Sequence, residues 1–275
     1  MYEKADLHIH TIYSDGVLAP TELVAKAKDA GLSIISITDH DSIGGIEEAI
    51  VAGKEKGVEV ITGIELSSSL NGTEIHILGY FVDHTNKNLT DSLSGFQWER
   101  MNRAKRIVGK LNKMNVPIDI DSVMEHVTGD SVCRPHIANA LVTEGHAASY
   151  EQAFMKYIGD GRPAYERKWN FSPEETIRLI NKAGGLSFLA HPGRSMNEDL
   201  LFRLIKAGLD GIEVIHPSHS PELVYYYRGI VNEYCLLESG GSDYHGGEKS
   251  DDQTLGRFVI SASTVDIMRR RLISN

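Results

Sequence analysis

Short apolar segments alternate with amphipathic helical segments towards both ends of the chain, and this alternation restricts the fold more than any other feature. Such alternation is typical of α/β proteins, in which parallel strands form a sheet or barrel that helices cover. The count predicts a barrel-like α/β fold of seven or eight strands, whose active residues gather at the C-terminal strand ends. The predicted strands are 6–11, 33–38, 58–62, 74–81, 186–190, 211–215, 236–238 and 257–260.

The segment 86–169 differs from the rest of the chain, because it is polar, helix-rich and without a convincing strand. Outside it, helices are predicted at 20–30, 43–56, 197–207, 221–234 and 264–273, and Ser172-Pro173 begins another that ends before Gly184. We therefore predict a barrel domain made of residues 1–85 and 170–275, with residues 86–169 as an inserted helical subdomain that caps the substrate. The predicted helices of the insert are 89–114, 120–127, 136–144 and 150–158.

Composition limits the classes of function. The net charge of −10 disfavours tight non-specific binding to a long polyanion, and no DNA-specific binding is expected. A small anionic substrate remains possible, because cations held among carboxylates reverse the local field. No apolar run reaches the length of a bilayer, and the N-terminus shows no export signal, so we expect a soluble, cytoplasmic protein without a membrane partner.

The sharpest motif is the segment 6–11, which reads DLHIHT. On a strand, residues two apart point to the same face, so His8 and His10 project together. Two imidazoles on one face can bind a metal ion, although a hydrogen-bonded pair of histidines in a polar barrel interior would show the same pattern.

Further histidines and carboxylates favour the metal interpretation, because they recur in or just after other predicted strands or in the adjoining loops. A purely structural origin would scatter these residue types over helices and loops. Imidazole and carboxylate ligands without thiolates suit manganese, iron, zinc or magnesium, and of these we expect Mn²⁺. The additional predicted ligands are Asp15, His40, Glu65, His76, His191, Asp243 and His245.

These motifs, in this order, resemble the PHP (polymerase and histidinol phosphatase) family of metal-dependent phosphoesterases. The resemblance implies a distorted, seven-stranded β/α (TIM-like) barrel with two or three divalent cations at its C-terminal face. It assigns His8, His10, Glu65 and Asp243 to one metal, Glu65, His76 and His191 to a second, and Asp15, His40 and His245 to a third. Many members have histidine where this chain has Asp15, and a carboxylate there favours manganese or magnesium over zinc.

The short chain with its helical insert further resembles the stand-alone subgroup of nucleoside 3',5'-bisphosphate phosphatases and 5'-3' exoribonucleases. The resemblance implies hydrolysis of a small nucleotide phosphomonoester by a hydroxide that the metals activate. Removal of nucleotides from short RNA and a histidinol-phosphate-type phosphatase are the alternatives. A regulatory module with a degenerate metal site would require loss of ligands, and the ligand set is complete.

Four further residues are predicted to contact the substrate phosphate. Arg134 and Arg194 offer bidentate donors, and we favour Arg194 because it closely follows the strand that ends at His191. His136 and His216 are the other two; His216 follows a predicted strand and could also protonate a leaving group. Asp39 and Asp41 flank His40, and we predict that they orient metal-bound imidazoles.

Overall fold

The computed structural model describes residues 3–71, 73–167, 171–194, 196–246 and 253–274. It confirms the predicted barrel-like α/β fold: one eight-stranded sheet has the order β7-β6-β5-β4-β3-β2-β1-β8 and curves into a nearly closed barrel. Seven strands form the barrel wall, and the two-residue β8 lies antiparallel to β1. The strands are β1 Lys4–Ile9, β2 Ile34–Ile37, β3 Glu59–Leu70, β4 Thr73–Tyr80, β5 Leu186–Leu189, β6 Gly211–Ile215, β7 Leu237–Gly240 and β8 Ile260–Ser261.

Most helices begin and end within a few residues of the predicted positions. Ser172 begins α7 with the predicted capping box, in which its hydroxyl accepts from the Glu175 N–H while the Glu175 carboxylate accepts from the Ser172 N–H. The helices are α1 Pro20–Asp29, α2 Ile46–Lys56, α3 Lys87–Lys113, α4 Ile120–Met124, α5 Arg134–Thr143, α6 Tyr150–Ala153 with a π-helical turn Phe154–Ile158, α7 Pro173–Lys182, α8 Glu198–Lys206, α9 Pro221–Glu233 and α10 Ala262–Ser274.

The hairpin of β3 and β4 corrects one prediction. The sequence predicts that the third strand ends at residue 62, but β3 continues to Leu70. Its last register pair with β2 is Ile37–Thr62, after which β4 pairs with it antiparallel from Gly63 onwards. The hairpin therefore extends beyond the parallel part of the barrel, and it carries two of the predicted ligands.

The barrel closes where the chain after β7 lies beside β1. The His10 N–H donates to the Tyr244 carbonyl at 2.9 Å, and the Ser242 N–H donates to the Asp6 carboxylate at 2.9 Å. A Cβ atom at Gly241 would lie 2.4 Å from the backbone nitrogen of His8, so only glycine allows this approach. The closure brings both chain segments to one rim.

The insert has a hydrophobic core of its own, and α3 contributes to two cores. Its first turns bury Leu89 and Phe96 in the barrel core, whereas Ile107 and Leu111 pack in the core of the insert. The predicted boundary at residues 169 and 170 lies outside the described residues, so the division into domains stays a prediction. Within the described ranges, none of the helices is both long and apolar enough to cross a membrane.

Candidate metal centre

All nine predicted ligands lie at the C-terminal rim of the barrel or in the hairpin that extends it. Glu65 was expected just after a strand, but it lies inside β3, because the pairing with β4 prolongs that strand. His8 lies near the end of β1, His10 directly follows that strand, and His76 lies in β4. The remaining ligands lie in the loops that follow strands: Asp15 after β1, His40 after β2, His191 after β5, and Asp243 and His245 after β7.

The Glu65 carboxylate is the centre of this cluster. It is fully buried, and its two oxygens lie within 3.2 Å of ring nitrogens of five histidines. Oε2 lies 3.2 Å from His8 Nε2, 3.2 Å from His10 Nε2 and 3.1 Å from His40 Nδ1, and Oε1 lies 2.7 Å from His76 Nδ1 and 2.9 Å from His191 Nε2.

Asp243 completes a four-residue group with Glu65, His8 and His10. Its Oδ1 lies 3.3 Å from His8 Nε2 and 3.2 Å from His10 Nε2. His10 Nε2 is buried beside both carboxylates, but no atom of the described residues gives it a hydrogen bond of regular geometry. Nitrogen and oxygen lone pairs that converge on one point without pairing with each other fit a divalent cation.

Two further groups adjoin the first, with donor atoms within 4.8 Å of one another. Asp15 Oδ1 lies 3.3 Å from His245 Nε2, 3.9 Å from His40 Nε2 and 3.8 Å from His10 Nδ1. The other group joins His40, Glu65 and His76, so His76 lies near His40 as well as near His191. The structure brings all nine predicted ligands together, and their division among individual cations stays a prediction.

The electrostatics of the cation-free cluster favour positive charge. Burial alone would lower the pKa of the imidazoles, but at three of them the surrounding carboxylates outweigh it: they raise the pKa of His8 well above its usual value, that of His10 to about 9 and that of His76 to about 10. At His40 burial prevails and holds the pKa well below its usual value. Burial would raise the pKa of Glu65, whereas the neighbouring histidines hold it well below its usual range. His8, His10 and His76 thus bind protons where cations would bind.

Cation binding should therefore strengthen as the pH rises. His10 and His76 have pKa values of about 9 and about 10 without cations, so near neutral pH a cation must displace their protons. We expect the apparent affinity for Mn²⁺ to rise about tenfold per pH unit for each displaced proton, between about pH 6 and pH 9. Titration calorimetry in buffers of different ionisation enthalpy measures both affinity and proton release; a pH-independent affinity without proton release would contradict this assignment.

A buried carboxylate that the sequence analysis missed positions two of the histidines. Glu213, inside β6, accepts from His8 Nδ1 at 2.8 Å and from the backbone N–H of His191 at 2.7 Å. Because Nδ1 is engaged, His8 Nε2 is left for a cation, and such a partner also makes the imidazole more basic. A single acidic residue in the apolar strand GIEVI was the available signal.

The variant Glu213→Gln tests this positioning. We expect the affinity for divalent cations to fall about 10- to 100-fold, because the amide is a neutral acceptor that orients the ring less strongly. Calorimetric titration with Mn²⁺ measures the change. Glu238→Gln is the matched control, because Glu238 pairs with Arg228 at the surface. Equal affinities of Glu213→Gln and the parent chain would exclude the proposed role.

Asp39 and Asp41, which were predicted to orient imidazoles, both accept hydrogen bonds from elements around the cluster. Asp39 accepts from the Thr11 backbone N–H, the Thr11 hydroxyl and the Ser14 hydroxyl, and so holds the loop after β1. Asp41 accepts from the Ser67 N–H at 2.8 Å and pairs with buried Arg100 of α3 at 2.7 Å. Both carboxylates thus hold elements around the cluster. Asp39 also reaches an imidazole through Ser14, whose hydroxyl lies 3.4 Å from His10 Nδ1. An orienting role of Asp41 stays a prediction.

Three non-glycine residues at the rim adopt left-handed backbone conformations. They are Asp41, His191 and Asp243, with φ angles of 51°, 26° and 49°. Such conformations are uncommon for residues other than glycine and concentrate at functional sites. Here they lie at the turns where β2, β5 and β7 have just ended.

Two cavities open beside the cluster. The larger, of about 580 Å³, is lined by both His76 and His191 and has apolar walls that include Leu189 and Met196. The smaller, of about 200 Å³, lies between His76 and helices of the insert. A volume of several hundred Å³ suits a small-molecule substrate.

The predicted phosphate-binding residues take different positions. Arg134 lines both cavities and lies 3.8 Å from Glu74, which in turn contacts His76 at 3.2 Å. His216 Nε2 lies 3.4 Å from Asp243 Oδ2 at the edge of the cluster. Both positions are compatible with substrate contact.

The other two predicted residues lie further away. His136 is buried in α5, and its Nδ1 accepts from the Cys133 N–H at the start of that helix. Arg194 is exposed and lines a separate surface groove with Tyr226. Arg194 was predicted ahead of Arg134, but in the structure Arg134 lines both cavities beside the cluster, whereas Arg194 lines the separate groove. Which of the two contacts the substrate stays a prediction.

Several known proteins are similar to this chain over most of its length. The profile of the PHP domain family matches residues 6–158. The chain is 38% identical to a 5'-3' exoribonuclease of Haemophilus influenzae, over 89% of this chain and 91% of the relative. It is 33% identical to a 3',5'-nucleoside bisphosphate phosphatase of Chromobacterium violaceum, over 87% and 86%. A crystal structure from Bifidobacterium adolescentis, assigned as a metal-dependent phosphoesterase, superposes with a TM-score of 0.90 at 32% identity, over 97% and 96%.

Proposed function

The chain belongs to the PHP domain family and is a metal-dependent phosphoesterase, and on that basis we propose that it hydrolyses a phosphomonoester of a small nucleotide such as a nucleoside 3',5'-bisphosphate. The observation that carries the proposal is the pair of limited cavities that adjoin His76 beside the cluster, about 580 and about 200 Å³. Their size suits a nucleotide better than a polymer.

The nine clustered residues are proposed to hold two or three divalent cations, with Mn²⁺ favoured. When bound, such cations lower the pKa of water to about 7 and neutralise charge on the phosphoryl oxygens. Glu65, which contacts five imidazoles, would be shared between cations. Glu213 fixes the orientation of His8, so that the ligands are already arranged before a cation binds.

Arg134 and His216 are proposed to bind the phosphate from outside the cluster. Arg134 is partly exposed at the wall that the two cavities share, and its planar guanidinium can donate two parallel N–H bonds to phosphate oxygens. His216 lies beside His8 and His191, with ring-centroid distances of 6.2 and 5.3 Å, and would contact the phosphate from the edge of the cluster.

Removal of nucleotides from the 5' end of short RNA is the second candidate, because a relative covering most of the chain is a 5'-3' exoribonuclease. The charge of the chain favours a small substrate instead. The net charge is −10, and three carboxylates line the larger cavity against two arginines, Arg134 and Arg203.

Product analysis separates the two candidates. We expect Mn²⁺-dependent release of phosphate from 3'-phosphoadenosine 5'-phosphate, while a short 5'-phosphorylated RNA stays intact. Asp243→Ala should abolish the reaction, and His84→Ala, at a surface histidine that pairs with Glu47, should not. Release of mononucleotides from RNA at a comparable rate would establish the exoribonuclease. If the cation-loaded chain released neither phosphate nor mononucleotides, a nucleotide substrate would be rejected.

A further inference from the structure

The insert lies directly on a loop of the barrel rim, the loop after β1. The Thr128 hydroxyl donates to the Ile12 carbonyl at 3.1 Å. A Cβ atom at Gly129 would lie 2.3 Å from Tyr13 Cα, so only glycine allows the two backbones to approach this closely. Residues 128–133, which lie between α4 and α5, therefore form a docking segment that joins the insert to the rim.

A buried arginine of the insert reaches the loop that contains His40. Arg100 of α3 is 6% exposed, and its Nε donates to Asp41 Oδ2 at 2.7 Å. Its Nη2 donates to the Ser67 hydroxyl at 3.1 Å, and its Nη1 donates to Cys133 Sγ at 3.0 Å. One guanidinium thus connects the loop after β2, the strand β3 and the docking segment.

The backbone conformation of Asp41 depends on these contacts. Its φ angle of 51° is left-handed, which costs free energy in a residue other than glycine and persists where the surroundings hold it. Asp41 accepts from Arg100 and from the Ser67 N–H at 2.8 Å, and its own N–H donates to the Glu65 carbonyl at 3.0 Å. Loss of Arg100 removes the guanidinium from a fully buried carboxylate, which is costly. The turn that places His40 should then relax.

The four-residue group around Asp243 is held by the barrel instead. Glu213 of β6 accepts from His8 Nδ1 at 2.8 Å. The His10 N–H donates to the carbonyl of Tyr244, the residue after Asp243, at 2.9 Å. These contacts join one barrel element to another and do not pass through the insert.

We propose that Arg100 is a positioning residue that couples the docking of the insert to the two proposed cation groups that contain His40. Loss of Arg100 weakens these two groups and spares the four-residue group. Cation binding in turn strengthens the docking of the insert, because such coupling is reciprocal. The inference rests on the cation-binding part of the proposed function and not on the nucleotide substrate.

The test compares Arg100→Met with Arg103→Met and Arg106→Met on the same helix. Arg103 is equally buried, but its Nε donates to the Glu166 carbonyl within the insert, and Arg106 is half exposed. In calorimetric titration of Arg100→Met with Mn²⁺, the sites that contain His40 should lose affinity about 10- to 100-fold. The remaining site should change by less than about threefold, and both control variants should bind Mn²⁺ like the parent chain.

Anomalous scattering from crystals assigns the sites, at a Mn²⁺ concentration that just saturates the parent chain. In Arg100→Met, the peak within the four-residue group should stay, and the density next to His40 should fall.

Hydrogen exchange measures the coupling from the side of the insert. In the parent chain, Mn²⁺ should slow the exchange of the backbone amides in the docking segment, because a ligand of the docked state stabilises that state. Arg100→Met should lose most of this protection, whereas Arg103→Met and Arg106→Met should keep it. If Arg100→Met exchanged faster by the same factor with and without Mn²⁺, the coupling would be contradicted.

Arg100→Lys carries the same comparison if Arg100→Met does not fold. Its ammonium keeps a charge beside Asp41 but lacks the planar fork that also reaches Ser67 and Cys133, so the same sites should weaken to a smaller extent. Unchanged affinities, or equal weakening of every cation site, would overturn the proposal. If the coupling holds but the parent chain hydrolyses no nucleotide, the proposed substrate alone is rejected.

Discussion

Replacing Glu65 with glutamine is expected to have the largest effect of any single substitution. The two carboxylate oxygens of Glu65 lie within 3.2 Å of five imidazoles. The substitution therefore removes a negative charge from every proposed cation group except the one around Asp15. We expect kcat to fall at least about 1,000-fold, since the cations supply both the activated water and the charge neutralisation. Bound Mn²⁺, measured by elemental analysis after dialysis, should fall by at least one ion per chain.

The control is Glu99→Gln, because Glu99 pairs with the half-exposed Arg106 of the insert and is not one of the clustered residues. It should keep the activity and cation content of the parent chain. A Glu65→Gln protein that keeps its cations and loses less than about tenfold in kcat would show that the carboxylate does not bridge cations.

Removal of cations is the second change with a large expected effect. Chelation should abolish hydrolysis and lower the Tm, because a ligand at about 100 times its Kd stabilises the folded state by about 2.7 kcal/mol per site. For a chain of this size that corresponds to several degrees for each cation. Thermal unfolding with and without Mn²⁺, after treatment with a chelator, measures the shift, and added Mn²⁺ should restore both activity and Tm.

The same experiment with Glu65→Gln separates specific from general effects. Its Tm should respond less to Mn²⁺ than that of the parent chain, because part of the ligand set is missing. An activity that survives chelation would show that hydrolysis needs no cation. An identical Mn²⁺-dependent rise in the Tm of both proteins would place the bound cation elsewhere.

The sequence predicted the parts of the fold and site that depend on local periodicity. The barrel followed from alternating strands and helices, and the shared direction of His8 and His10 followed from their spacing of two on a strand. The length of β3 was not predictable in the same way. Its second half contains Ser67, Ser68 and Ser69, and only its antiparallel partner β4, beyond a turn at left-handed Asn71, keeps it extended.

Contacts between residues that are far apart in the sequence could not be predicted from it. Glu213 reaches His8 across 205 positions, and the environment of Arg103 depends on how α3 packs against α5 and the loop near Glu166. Arginine is usually a surface residue, so nothing in the sequence separates Arg103 from Arg106 on the same helix. Only the fold shows that one is buried and the other is half exposed.

The central claim is that the side chains around Glu65 hold a group of divalent cations, and anomalous X-ray scattering from Mn²⁺-loaded crystals tests it most directly. The account predicts at least two peaks in the anomalous difference map, one surrounded by His8, His10, Glu65 and Asp243 and another next to Glu65 and His76. A map in which these positions stay empty while Mn²⁺ binds elsewhere in an active crystal would contradict it.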